Sequence, residues 1–153
     1  MRRKDKEMTD AGWIEKVLEE AEIIRIAMVD GDEPYLVAMN FAYAGGAIYL
    51  HSALEGRKID ALRKNGRVAF QTETGVELIL RPEACGCTVQ FKSVFGSGRA
   101  VFITERPEKI KALDAIMKKY SDRTGLEYPD AALNKTLIIR IDIERMTGKK
   151  SPA

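Results

Sequence analysis

Apolar positions in this chain recur with two periods, and the switches between them outline its elements. Over residues 10–21, Ile14, Val17, Leu18 and Ala21 fall on one helical stripe, with Asp10 placed to cap the first turn and Trp13 at the stripe's edge. Ile23 to Val29 is a β-rich run that closes on the turn signal Asp30-Gly31-Asp32. Pro34 opens a second strand, Tyr35 to Ala42, and Gly45-Gly46 reverses the chain into a third, Ala47 to Ser52. Three sequential strands joined by short turns predict an antiparallel meander.

A helix follows, beginning at Arg57-Lys58, with Ile59 and Leu62 facing inward and Asn65-Gly66 ending it. Val68 to Thr74 predicts a fourth strand. Residues 75–90 hold Pro82, Gly86 and both cysteines and predict mostly loop. Phe91 to Thr104 is a long strand in which Gly96 and Gly98 suggest a bulge or a barrel corner. Pro107 sits where a helix can start, and Ile110, Leu113, Met117 and Tyr120 supply its apolar stripe. Residues 121–132 are polar and irregular. Leu137, Ile139, Ile141 and Ile143 then alternate in the strongest strand pattern of the chain. The sum is a mainly β domain of about six strands with flanking helices: a small antiparallel barrel with helices packed outside. It occupies residues 1–153 as one domain, with a helical N-terminus over about 10–21 and a flexible C-terminal tail over about 148–153. No glycine-rich dinucleotide loop and no phosphate-loop lysine is present.

Composition narrows the function classes. The 25 basic and 23 acidic residues of this 153-residue chain leave a net charge of +2, too balanced to imply nucleic-acid or membrane binding by bulk charge. The basic start is followed by polar and acidic residues, so no signal peptide is expected, and no apolar run approaches a membrane span. A cytoplasmic location follows as an expectation. Cys85 and Cys87 lack the spacing of a redox pair or a zinc site, and are expected as free thiols.

Arg57 and Lys58 carry the sharpest chemical signal. They sit at the end of a helix that already bears a partial positive charge, and an anion would resolve the conflict. Gly56 leaves room for close backbone approach, Arg57 offers a planar fork, and Lys58 adds a point charge. A solvated basic turn is the plainer alternative. His51, the sole histidine, ends the preceding strand on the face of Ala47 and Tyr49. It reads as a structural residue, a cofactor contact, an acid/base group or an axial haem ligand. Ser52 would bond a phosphate or cap the helix. Asn40, between Met39 and Phe41, would need partners if it points inward, and Ser93 beside Val94 is a further polar position on the long strand. No catalytic triad can be assigned. Any enzymatic reactivity would come from a cofactor.

Taken together, Ile26-Ala27-Met28-Val29, Pro34-Tyr35-Leu36-Val37, Asn40-Phe41, Ile48 to Ala53 with Gly56-Arg57-Lys58, Ser93 to Ala100, Leu113 to Met117 and Met146 to Lys149 resemble the flavin-binding split barrels. More specifically, with Met1 to Asp5, they resemble pyridoxamine 5′-phosphate oxidase-like proteins related to the nitroimidazole-resistance group. The resemblance implies a six-stranded antiparallel split barrel, paired as a homodimer with FMN at the interface. It implies that Arg57 and Lys58 hold the FMN phosphate with Ser52 and Ala53 beside them. Met39, Asn40 and Phe41 would pass near the flavin ring, and His51 would lie close to the flavin as a catalytic candidate. Ser93 and Val94 would approach the cofactor, reached across the dimer interface. The implied activity is an FMN-dependent oxidoreductase acting on a small organic substrate, with nitroaromatic compounds among the candidates. A non-catalytic flavin carrier or sensor, a haem-binding protein, and a deazaflavin such as F420 in place of FMN stand as alternatives. The family's usual proline before Asn-Phe is Met39 here, residues 75–90 match nothing in it, and the substrate contacts of true pyridoxamine phosphate oxidases are missing.

Overall fold

The computed structural model describes residues 2–152. A short 3-10 turn leads into β1 (Glu7–Met8) and α1 (Ala11–Glu20). Asp10 caps α1 by accepting from the Trp13 N–H at 2.8 Å, and Ile14, Val17 and Leu18 are the buried stripe. Then come β2 (Ile24–Asp30), β3 (Glu33–Met39), β4 (Ala42–Ala44), β5 (Ala47–Ser52) and α2 (Arg57–Lys64). The remaining elements are β6 (Arg67–Ile79), β7 (Thr88–Ile103), α3 (Arg106–Tyr120), the single turn α4 (Asp130–Leu133) and β8 (Leu137–Ser151).

All strand pairs are antiparallel, in the order β3-β2-β6-β7-β8-β5-β4, with β1 added on β8. The two ends of this path, β3 and β4, are consecutive in the chain, with only Asn40 and Phe41 between them. The sheet therefore has to curl until its edges meet. Among the described residues no ladder joins β3 to β4, so the barrel stays split along that seam. Tyr120 bridges the gap: its hydroxyl accepts from the Phe41 N–H at 2.9 Å and donates to the Glu22 carbonyl at 2.6 Å. The six expected strands are β2, β3 and β5–β8, while β1 and β4 are short additions.

Ile24, Ile26, Phe41, Ile48, Leu50, Phe70, Ile139 and Ile141 fill the barrel, with Val17 and Leu18 of α1 and Ile59 of α2 packed on it. Burying each such side chain contributes roughly 1.5–3 kcal/mol. The glycines of β7 do what their place in a strand suggests. Gly96 lets the Phe70 ring lie against the backbone, and the β7–β8 register shifts between Ser97 and Gly98.

Four expectations need correction. Residues 75–90 are no loop: β6 and β7 continue as a projecting hairpin, with Leu78 opposite Val89 and a 3-10 turn at Ala84–Gly86. Its backbone pairs although nothing covers its faces, so the usual burial signal is absent. The residues around 148–151 are no flexible tail, because the long β7 supplies partners as far as Phe91 opposite Ser151, and Trp13 packs on Gly148. Ala153, the end of that expected tail, and Met1 lie outside the described residues. The second strand stops at Met39 rather than Ala42, because the seam falls there. In α3 the buried stripe is Lys109, Ala112 and Ile116, one position from the expected one. Two lysines run along that side with their stems buried: Lys109 donates to the Leu133 carbonyl, and Lys119 to the Leu18 carbonyl at 2.6 Å.

Candidate cofactor site

The site is built where β5 hands over to α2. Gly56 precedes the first helical turn at φ +119°, a backbone conformation that side chains rarely adopt. No side chain caps the helix, so the capping expectation for Ser52 is not met. The N–H groups of Ile59 and Asp60 both bond the Gly56 carbonyl, at 2.8 and 3.1 Å. The N–H groups of Arg57 and Lys58 have no acceptor among the described residues, as the first turn of a helix requires. They open on a shallow cavity of about 440 Å³ lined by His51, Ser52, Ala53, Arg57 and Lys58, with Tyr35 and Glu55 on its walls.

The two cations differ in their surroundings. The Arg57 Nε–H donates to Asp30 Oδ2 at 2.8 Å and one Nη2–H to Glu33 Oε2 at 2.6 Å. Its guanidinium also lies 4.6 Å over the Tyr35 ring. Lys64 approaches Asp30 at 3.6 Å. The bond from Arg57 holds the Asp30 carboxyl below its usual range, and the two carboxylates hold the guanidinium charged. Lys58 has no carboxylate partner among the described residues, and its burial pushes its amine below the ordinary lysine value. It is the uncompensated charge at the helix start. The fork expected to be free for phosphate is thus partly engaged by Asp30 and Glu33. Neither acid stood out in the sequence, where Asp30 read as part of the turn signal around Gly31 and Glu33 carried no assignment.

His51 supplies the second unsatisfied group. Its ring lines the cavity, and its Nδ1 is buried with no hydrogen-bond partner among the described residues. A buried polar ring atom left alone is costly. Together, these groups fit a phosphate-bearing cofactor: two backbone donors, Lys58, the remaining Arg57 donors and the His51 ring.

The other expected site residues lie elsewhere. Met39 is buried at the end of β3, opposite Ile24. Asn40 is exposed at the seam, contrary to an inward placement. Phe41 is fully buried, with the Lys119 ammonium 3.4 Å above its ring. Burial pushes the Lys119 amine down to about 8. Ser93 and Val94 are buried on β7 opposite Glu73 and Thr72. None of these five lines the α2 cavity, though Tyr35, which does, shares β3 with Met39. Cys85 and Cys87 are exposed and unpaired. No trio of metal-ligating side chains occurs among the described residues, and no described helix is long and apolar enough to cross a membrane.

An antiparallel barrel split at one seam, with a cationic helix start beneath a strand end, defines the split-barrel class. Residues 10–150 match the model of the pyridoxamine 5′-phosphate oxidase family, and the chain belongs to that family. It is similar in structure to a candidate 5-nitroimidazole antibiotic resistance protein from Bacteroides thetaiotaomicron VPI-5482. That likeness has TM-score 0.85 and 31% identity, and covers 94% of this chain and 86% of that one. It is also similar to an FAD-binding protein from Mesorhizobium loti, with TM-score 0.68 and 26% identity over 93% and 95% of the two chains. An FAD- and haem-binding protein from Mycobacterium smegmatis shares the fold, with TM-score 0.87 and 18% identity over 97% and 74%. By sequence, an uncharacterised protein of Rhizobium meliloti (strain 1021) is 34% identical over 55 residues, a match spanning 36% of each chain.

Proposed function

We propose that this chain binds FMN through its phosphate at the start of α2 and serves as an FMN-dependent oxidoreductase. Its substrate would be a small organic molecule, a nitroaromatic compound among the candidates. The observation that carries this reading is a cavity lined by His51, Ser52, Arg57 and Lys58 at a helix start whose first two N–H groups have no acceptor among the described residues. The likeness to a candidate nitroimidazole-resistance protein supports the substrate class. When bound, the flavin would supply the two-electron chemistry. The chain's own part is to fix the phosphate with Lys58, Arg57 and the α2 amides, and to offer the His51 ring as a polar contact. Met39, Asn40 and Phe41 at the seam, and Ser93 and Val94 from a second copy, complete the proposed surroundings of the ring. The functional unit is a homodimer.

The first experiment is the visible spectrum of the purified protein before and after adding FMN. A two-band flavin spectrum that survives desalting is the expected result. In Arg57→Ala/Lys58→Ala, the loss of two charge-assisted contacts worth about 1.5–3 kcal/mol each should weaken FMN binding by at least about 100-fold. Riboflavin, which lacks the phosphate, should bind the variant and the parent alike. Unchanged FMN affinity in the double variant would remove the phosphate assignment. A haem reading is favoured by the same orphaned imidazole and by the M. smegmatis neighbour. A sharp Soret band in place of flavin bands, lost in His51→Ala, would establish it. Steady-state reduction of a nitroaromatic by the loaded protein separates an enzyme from a carrier.

A further inference from the structure

Arg57 arrives at the α2 cavity already held on three sides. Asp30, at the end of β2, takes its Nε–H, and Glu33, at the start of β3, takes one Nη2–H. The Tyr35 ring lies beneath the guanidinium plane at 4.6 Å. The three partners sit on the two strands flanking a single turn, while Arg57 belongs to α2, which follows them in the chain only after β4 and β5. A long, half-exposed arginine left free would sample many rotamers, and ordering it on binding would cost conformational entropy.

Donor counting shows what the arrangement leaves available. A guanidinium has five N–H donors. Two are spent on the carboxylates, so three remain, two of them on Nη1. Charge counting points the same way. Asp30 and Glu33 are matched by Arg57 and Lys64, which approaches Asp30 at 3.6 Å. Lys58 and the two free α2 amides then carry the net attraction for an anion, with Glu55 the one acid on the cavity wall outside this balance.

We propose that Asp30 and Glu33 are positioning residues that hold Arg57 in a fixed pose at the mouth of the α2 cavity, so that its remaining N–H groups meet the cofactor phosphate already oriented. This rests on the phosphate reading above and extends it to the β2–β3 turn. The two carboxylates do not touch the phosphate. They act through the rotamer of Arg57, as the partner of a ligating side chain orients that ligand in other polar sites. The opposite reading, in which the acids compete with phosphate for the arginine, predicts the opposite sign for their removal.

The test is apoprotein titration with FMN and, separately, with riboflavin, on Asp30→Asn/Glu33→Gln, Arg57→Ala and the triple variant. Loss of an oriented charge-assisted contact is expected to lower FMN affinity roughly 10-fold in Asp30→Asn/Glu33→Gln, with riboflavin affinity unchanged. In the Arg57→Ala background the same two substitutions should add nothing, because a positioning residue has no effect without the group it positions. Tighter or equal FMN binding by Asp30→Asn/Glu33→Gln would overturn the inference, as would a parallel fall in riboflavin affinity or full additivity with Arg57→Ala. Failure of the underlying reading looks different. If Arg57→Ala itself leaves the ratio of FMN to riboflavin affinity unchanged, the phosphate is not at Arg57 and the inference falls with it.

Discussion

At the scale of single residues, His51 and Lys119 carry the sharpest expectations. His51 leaves Nδ1 buried and unpaired. Replacing such a group with an apolar one of similar shape removes that cost and is neutral to stabilising. His51→Leu is therefore expected to melt no lower than the parent without cofactor. It should gain less than the parent when FMN is added. Thermal melts with and without FMN check both halves, and equal ligand-induced gains would show that the ring makes no cofactor contact. Lys119 has its amine pushed down to about 8 by burial over Phe41. A lysine whose folded value lies below its unfolded one binds fewer protons folded than unfolded. Its contribution is full above the unfolded value and lost as pH falls through about 8. Lys119→Met is thus expected to flatten the rise in stability between pH 8 and about 10, read from denaturant midpoints at several pH values. Lys58, shifted in the same direction, remains in both proteins and cancels from the comparison.

Among the elements, the seam and the hairpin show which features a sequence can and cannot disclose. β2, β5, α1 and the first half of β8 were legible because one face of each is buried, and burial writes its period into the residue types. The β6–β7 hairpin was not legible. Val76, Leu78 and Leu80 alternate, but at 63%, 63% and 70% exposure they face solvent, and Pro82, Gly86 and the cysteines at the tip resemble loop punctuation. The α3 stripe was misplaced because Lys109 and Lys119 bury aliphatic stems under charged heads. In the candidate site, Arg57, Lys58 and His51 announced themselves by residue type and position. Asp30, Glu33 and Tyr35 did not, because their role depends on contacts between the β2–β3 hairpin and α2 that no local pattern encodes. The seam itself yields an element-scale expectation. Tyr120→Phe removes the hydroxyl that joins the Phe41 N–H to the Glu22 carbonyl. It leaves the backbone donor of the buried Phe41 without that partner, so a loss of about 1–3 kcal/mol is expected in urea denaturation.

For the whole molecule, close packing and assembly set the remaining expectations. Gly148 of β8 lies under the Trp13 ring and against Met8, so a methyl group there has no room. Gly148→Ala is expected to cost about 1–3 kcal/mol and to shift the Trp13 fluorescence, a combined signature that α1 has lifted from the sheet. The projecting hairpin exposes Val76, Leu78 and Leu80, with Leu78 opposite Val89, and contiguous exposed apolar side chains of this kind mark contact surfaces. If the proposed homodimer uses it, Leu78→Glu/Leu80→Glu should sediment as a monomer where the parent sediments as a dimer. An unchanged sedimentation coefficient would place the dimer contact elsewhere.

The pairing of β1 with β8 sets Glu7 opposite Lys149 and Met8 opposite Gly148, so the first and last strands of the sheet run side by side. The seam between β3 and β4 carries no ladder, although the chain passes through it. A circular permutant that links β8 to β1 by a short polar connector and reopens the chain at Asn40–Phe41 would keep every strand pair of the sheet. Its new ends would emerge at the split. Connectivity, in this barrel, is thus separable from architecture: the order in which the ribosome lays down the strands is one of at least two orders that the same set of ladders can satisfy.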